Sequence, residues 1–264
     1  MVIEILRAIS YIFGWFYVAL WGFSCYPQAI LNYQLKSVAG FSIDFGIMHM
    51  TGFLLYSIYC FGGFTYAYMG TGDIQLVDLF FPTHCFLISS VNLSQIWIYK
   101  RGSQTSFDKR MVILVTIIWI MTALWFILEA VVGVRFPNII NTFLLVGYFK
   151  TIITFAKYLP QVSLNYRRKS TKGLSITYIC LDLSGCIFAM LQQFIDLFVD
   201  KYTNPTHSHN FNYIKLLISL VSASFDILQI IQKYILYPEI KGRLIDDTKD
   251  TYRVQMSNMK PLLD

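Results

Sequence analysis

Seven stretches of this chain are each long and apolar enough to cross a lipid bilayer: residues 8–31, 42–67, 75–99, 111–133, 138–162, 174–199 and 212–236. A membrane helix needs about 20 mostly apolar residues, and a backbone in lipid must satisfy its own hydrogen bonds, so helices are the expected form. A barrel would instead alternate apolar and polar residues over many short segments. Only 14% of the residues are charged against 56% apolar, where soluble domains carry about 25% charged. The net charge of +6 sits in short clusters between the apolar stretches. That distribution argues against a nucleic-acid partner, which needs a continuous basic face.

Orientation follows from the basic residues of the short loops, which favour the cytosol. Lys36, Lys100, Arg101, Lys109, Arg110, Arg167, Arg168, Lys169, Lys172, Lys233, Lys241 and Arg243 fall on one side, against Arg7, Arg135 and Lys201 on the other, 12 to 3. The expected topology has a lumenal or extracellular N-terminus and a cytosolic C-terminus. The first residues lack the basic n-region and cleavage site of a signal peptide, so the first apolar stretch reads as a retained helix. No pair of the five cysteines has zinc-site spacing with histidines nearby, and no metal is expected.

Internal self-similarity sharpens the architecture. Tyr26–Phe53 and Leu159–Cys186 align without a gap at an offset of 133, with 11 of 28 positions identical. The shared letters include Pro27-Gln28 and Pro160-Gln161, Asn32-Tyr33 and Asn165-Tyr166, and Lys36-Ser37 and Lys169-Ser170. The fold expected is an all-α membrane protein of seven transmembrane helices, two parallel triple-helix bundles joined by a linking helix. The divisions are 1–99 for the first unit, 100–137 for the linker, 138–237 for the second unit and 238–264 for a cytosolic tail. Parallel repeats with a site between them are a transporter plan. Each proline removes a backbone hydrogen bond and either hinges its helix or ends it. Gln28 and Gln161 stand ready to bond the freed carbonyls.

Beyond the Pro-Gln pairs, an ordered set of motifs runs along the chain. It includes Gly14-Trp15-x-Tyr17, Ser42-x-Asp44-Phe45, Thr51-Gly52-Phe53, Arg101-Gly102-x-Gln104, Tyr148-x-Lys150, Lys157-Tyr158-x-Pro160-Gln161 and Leu181-Asp182-x-x-Gly185. With these the sequence resembles the PQ-loop family, and within it the cystinosin family of lysosomal cystine–proton symporters, over residues 11–240. The resemblance implies a PQ-loop or SWEET-like 3+1+3 fold. It also implies proton-coupled export of cystine, or a related amino acid, from a lysosomal or vacuolar lumen to the cytosol by alternating access. The implied partners are L-cystine, protons and the lipid membrane, with no cofactor beyond the coupling proton.

Ionisable residues at membrane depth are expensive and therefore functional candidates. Lys150 and Lys157 are seven residues apart, which puts them on one helix face about 10 Å apart. Gln161 continues that face. Two ammonium groups at such a spacing suit a substrate with a carboxylate at each end. Asp182, beside the small Ser184 and Gly185, is the main proton-coupling candidate, because burial disfavours the charged form of a carboxylate. Asp78 and Gln95 share a face of the third span. Asp78 reads as a lumen-side proton acceptor or an interface charge, and Gln95 as part of a gate or polar network. Ser222, Asp226, Gln229 and Lys233 form a stripe that must face protein or water; Asp226 reads as proton-coupling or as inter-helix glue.

The resemblance further implies substrate-site roles for Asn165, Trp15 and Tyr158. His49 departs from the family pattern, which has asparagine there. As the repeat mate of Asp182, His49 reads as a proton carrier, a carboxylate ligand or a neutral core histidine. No nucleophile–base pair or phosphate loop is visible, so no enzyme is expected. Rival readings are a PQ-loop carrier of another amino acid or a sugar, and a seven-helix cargo or signalling receptor.

Overall fold

The computed structural model describes residues 2–65, 76–104, 106–132, 142–203 and 213–238, the side chains of residues 76–78 and 132 excepted. Its seven helices are α1 (Val2–Leu35), α2 (Ile43–Thr65), α3 (Leu76–Ile98), α4 (Lys109–Val132), α5 (Thr142–Arg168), α6 (Ile176–Thr203) and α7 (Tyr213–Ile231). Helix α7 passes into a π turn over Gln232–Leu236. Among the described residues, six of the seven are long and apolar enough to cross a membrane. Helix α3, whose first three side chains lie outside the described residues, carries Ser89, Ser90, Asn92, Ser94 and Gln95 in its second half.

The prolines do not end their helices. Helix α1 runs through Pro27 to Leu35, and α5 runs through Pro160 to Arg168. Each then stops at a lysine in the left-handed conformation, Lys36 (φ 48°) and Lys169 (φ 49°). These residues are repeat mates, and each ammonium lies over the ring of a tyrosine three residues back, at 3.4 Å from Tyr33 and 3.5 Å from Tyr166.

Two seams join the halves. Helix α1 packs on α6 and α2 packs on α5, and these are the most extensive contacts between helices. The seams are equivalent under the repeat, which exchanges α1 with α5 and α2 with α6. Within each half, α2 packs on α3 as α6 packs on α7, and α1 packs on α3 as α5 packs on α7. Among the described residues, α4 packs mainly on α5 and α2. It is apolar all round, with Ile113, Ile117, Leu124 and Phe126 exposed as a lipid-facing helix requires. Its Glu129 accepts a hydrogen bond from the Thr142 backbone N–H at 2.9 Å and another from the Thr142 hydroxyl, so it caps the N-terminus of α5.

The chain crosses the pseudo-axis at Gly40 and Gly173, repeat mates in the loops after α1 and α5. A Cβ on Gly40 would lie 2.1 Å from the Lys172 carbonyl oxygen and 2.5 Å from Gly173 Cα. The two loops therefore touch backbone to backbone, and no side chain fits between them. Gly40→Ala is expected to lower stability by roughly 1–3 kcal/mol, read as a drop in the melting temperature of purified protein. Gly22→Ala is the control: its Cβ would meet nothing closer than 3.8 Å, and the exchange should be neutral or slightly stabilising. Equal melting temperatures for the two variants would contradict the backbone contact.

Candidate functional site

Helix α5 places Lys150, Lys157, Gln161 and Asn165 on one buried face. The lysines are 3% and 4% exposed, so neither snorkels to an interface. Lys150 Nζ lies 4.6 Å from the centre of the Phe53 ring and 5.8 Å from that of Tyr56. Lys157 Nζ lies 4.5 Å from the Tyr158 ring and 5.5 Å from the Phe45 ring. Ring faces attract a cation most strongly where water is excluded. Lys157 Nζ is also 3.2 Å from His49 Nδ1. A charged ammonium can only donate, so this contact makes Nδ1 the acceptor and leaves the histidine proton on Nε2. His49 is enclosed by the rings of Phe45, Phe53 and Tyr178.

Helix α6 brings the carboxylate. Asp182 Oδ2 accepts a hydrogen bond from the Tyr158 hydroxyl at 2.9 Å, and the Asp182 carbonyl accepts one from Trp21 Nε1 at 3.1 Å. Gly185 makes room for that tryptophan: a Cβ there would lie 2.4 Å from Trp21 Cδ1. His49 and Asp182, repeat mates, are thus tied to consecutive residues of α5, Lys157 and Tyr158. Asp226 on α7 is fully buried, and its carboxylate oxygens find no hydrogen-bond donor among the described residues. One carboxylate oxygen from Asp226, one from Asp182 and the Cys186 thiol lie within 4.8 Å of one another.

Gln28 and Gln161 do not bond the carbonyls freed by their own prolines. Each reaches across to the other half. Gln28 Nε2 donates to the Gly173 carbonyl at 3.0 Å and Gln28 Oε1 accepts from the Ser175 N–H at 2.9 Å. Gln161 Nε2 donates to the Gly40 carbonyl at 3.1 Å and Gln161 Oε1 accepts from the Ser42 N–H at 2.8 Å. Each amide also donates to the asparagine one turn on, Asn32 at 2.8 Å and Asn165 at 3.0 Å. Asn32 then donates to Gln95 and Asn165 to Gln232, at 3.0 and 2.8 Å. Gln95 and Gln232 complete the pattern by donating to the Ala29 and Val162 carbonyls, at 2.9 and 3.1 Å. The result is a two-fold clasp that closes the bundle at the end bearing Lys36, Lys100, Lys169 and Lys172.

The structure therefore gathers the buried Lys150, Lys157, His49, Tyr158 and Asp226 with the half-buried Asp182 in one group between the halves. Asn165 and Gln95 join the clasp instead, with Gln28 and Gln161. Trp15 belongs to neither. It is 50% exposed and makes an edge contact with Tyr11; Trp21, six residues or about 120° further round α1, is the tryptophan that faces Asp182. The side chain of Asp78 lies outside the described residues.

Sequence reading missed Trp21, Tyr178, Asn92 and Gln232. The signal for Gln232 was a second repeat at a different offset. Ser89, Asn92 and Gln95 on α3 correspond to Asp226, Gln229 and Gln232 on α7 at 137 residues rather than 133, a shift of about one helical turn.

This geometry defines a two-repeat helical membrane protein with a charged site buried between its halves. The PQ loop repeat family matches the chain at residues 9–65 and 143–202, one match in each half. A cystinosin homolog of Dictyostelium discoideum is 36% identical over 258 residues, covering 90% of this chain and 85% of that protein. A cystinosin homolog of Arabidopsis thaliana is 35% identical, covering 88% of each. A cystine transporter of Saccharomyces cerevisiae is 27% identical, covering 85% of this chain and 92% of that protein. The chain belongs to the cystinosin family of PQ-loop proteins, and it is a multi-pass membrane protein.

The clasp is equal on both sides: Gln28 and Gln161 each make three hydrogen bonds of matching kind. Gln28→Ala and Gln161→Ala should therefore cost similar amounts, about 1–3 kcal/mol each, read as matched falls in melting temperature. A large loss for one and none for the other would mean that the symmetry is not energetic.

Proposed function

We propose that the chain exports cystine, or a closely related amino acid, together with protons from an acidic lysosome- or vacuole-like lumen to the cytosol. The observation that carries this reading is the pair of buried ammonium groups on one face of α5, Lys150 and Lys157, about 10 Å apart along the helix and beside a carboxylate pair. An apolar or cationic solute has no use for two buried cations, whereas an amino acid with a carboxylate at each end does. The similarity to a cystine transporter and to cystinosin homologs supports the same substrate.

In this reading one substrate carboxylate sits on Lys157, with His49 beside it, and the other on Lys150. A bound anion offsets the cost of holding two ammonium groups out of water. Asp182 and Asp226 take up a proton on the acidic side and release it on the other. Tyr158, hydrogen-bonded to Asp182 and adjacent to Lys157 in the chain, makes the proton site sensitive to the substrate site. The clasp formed by Gln28 and Gln161 closes the cytosolic end. Breaking it as the lumenal end closes gives alternating access, and Pro27 and Pro160, within their helices, supply the flexible points.

Uptake of labelled cystine into proteoliposomes under an imposed pH gradient tests the reading, with lysine, arginine and neutral amino acids run alongside. Gradient-driven cystine flux above that of empty vesicles is expected; its absence would sink the cystine assignment. Asp182→Asn should abolish the dependence on the gradient, whereas full gradient-driven flux in that variant would remove Asp182 from proton coupling. Lys150→Ala and Lys157→Ala should each weaken apparent cystine affinity by about tenfold or more, since losing one partner of a buried charge pair costs roughly 2–5 kcal/mol.

A further inference from the structure

Two neighbouring polar residues of α7 are buried without a partner. Gln229 is fully buried, and neither the oxygen nor the nitrogen of its amide makes a hydrogen bond among the described residues. Asp226, three residues earlier, is in the same condition at both carboxylate oxygens. An unpaired buried polar atom is destabilising, and here four of them fall within one turn of helix. The counterpart of Gln229 on α3 behaves differently. Asn92 Nδ2 donates to the Cys25 carbonyl at 3.3 Å and to the Ile88 carbonyl at 3.4 Å. The second half keeps a longer amide and leaves it free of such bonds.

The two residues belong to a stripe. Ser219, Ser222, Asp226, Gln229 and Gln232 are all buried and follow one another every three or four residues along α7 and its π turn. The α3 positions related to them by 137 residues are Pro82, Cys85, Ser89, Asn92 and Gln95. Only α7 is therefore polar on both sides of its carboxylate. Asp226 lies beside Asp182 and Cys186 of α6, and Tyr158 of α5 donates to Asp182. Gln232 belongs to the clasp. Gln229 stands between them, about one helical turn from each. Buried polar groups without protein partners are characteristically met by ordered water. An amide side chain can both donate to such a water and accept from it.

We propose that Gln229 is a positioning residue for proton release: it holds the water that receives the proton of Asp226 and so directs that proton along α7 toward the clasp. The O–H bond of the Asp226 carboxyl breaks as an O–H bond forms on the water, and Asp226 is left as a carboxylate. The hydronium passes one proton to the next oxygen toward the cytosolic end and returns to water. No electrons change hands. The proton then has its own exit, apart from the Lys150–Lys157 face of α5. This inference rests on the proton-coupled reading above.

The test separates two fluxes in proteoliposomes. Net gradient-driven uptake of labelled cystine needs the carrier to release its proton in every cycle. Exchange of labelled for unlabelled cystine at equal pH does not, because the carrier can shuttle fully loaded. Gln229→Leu keeps the volume and removes both amide groups. It should slow net uptake by about tenfold, the worth of one hydrogen bond, and leave exchange within about twofold. Gln229→Asn retains an amide and should take up cystine faster than Gln229→Leu. A structural defect lowers both fluxes together. Parallel loss of the two fluxes in the leucine variant overturns the proposal, as does undiminished net uptake or an asparagine variant no faster than the leucine one. If wild-type protein exchanges cystine but shows no gradient-driven uptake, proton coupling itself fails. If it carries no cystine in either assay, the functional reading fails.

Discussion

Two lysine ammonium groups held at membrane depth set the terms for this fold. A bare ammonium facing lipid costs several kcal/mol, so α5 has to be wrapped on the side that carries Lys150 and Lys157. Helix α2 does most of the wrapping. It supplies the rings of Phe45, Phe53 and Tyr56, the His49 acceptor, and the bare backbone of Gly52 opposite Lys150. The α2–α5 seam between the halves is therefore fixed by the lysines as much as by apolar packing. The equivalent seam, α1 on α6, carries Tyr17 and Ser24 where α5 has the lysines. There Trp21 packs on Gly185 and donates to the Asp182 carbonyl of α6, while it meets Tyr17 edge-on and stacks on Phe81 of α3.

The charged site and the clasp share one rod. Lys150, Lys157, Gln161 and Asn165 follow one another down the same face of α5, and Pro160 interrupts its hydrogen-bond ladder between the charged pair and the clasp pair. A tilt of the last turns of α5 at that point would pull Gln161 off Gly40 and Ser42 without requiring Lys157 to leave His49. The same argument applies to α1, where Pro27 stands next to Gln28. The clasp bonds are neutral amide contacts, each worth about 1 kcal/mol net. In the proposed transport cycle, that strength suits a latch that has to open and close. An ion pair at the same place would be harder to release.

Architecture was legible in the sequence because it is written in local signals. The apolar runs gave seven helices, and the gapless repeat gave two equivalent triple-helix units. What the glutamines bind was not legible, because their partners lie 119 to 147 residues away and become neighbours only once the halves pack crosswise. A proline beside a glutamine suggested self-repair of the helix; the structure spends the glutamine on the other half instead. Trp15 illustrates the opposite failure. A motif resemblance selected it, but the direction a side chain takes from a helix depends on the packing of the whole turn, and Trp21 has the inward position. Gln232 was hidden because the α3 and α7 copies keep a different offset from the α1 and α5 copies, so a single alignment finds one repeat and not the other.

The letters that agree between the halves build the frame, and the letters that differ build the site. Pro, Gln, Asn and the two loop glycines are shared, and they form the clasp and the contact at the axis. The lining is unequal: Lys150, Lys157, Tyr158, Asp182 and Asp226 in the second half stand against Tyr17, Ser24, Cys25, His49 and Ser89 in the first. There is a physical reason why the charges sit on one side only. A symmetric lining would bring four ammonium groups and four carboxylates into one dry space, and like charges a few ångströms apart in a low dielectric cost far more than the fold can recover. Keeping the charge in one half avoids that repulsion and leaves the other half free to be aromatic. That is what a symmetric frame with an asymmetric lining makes possible.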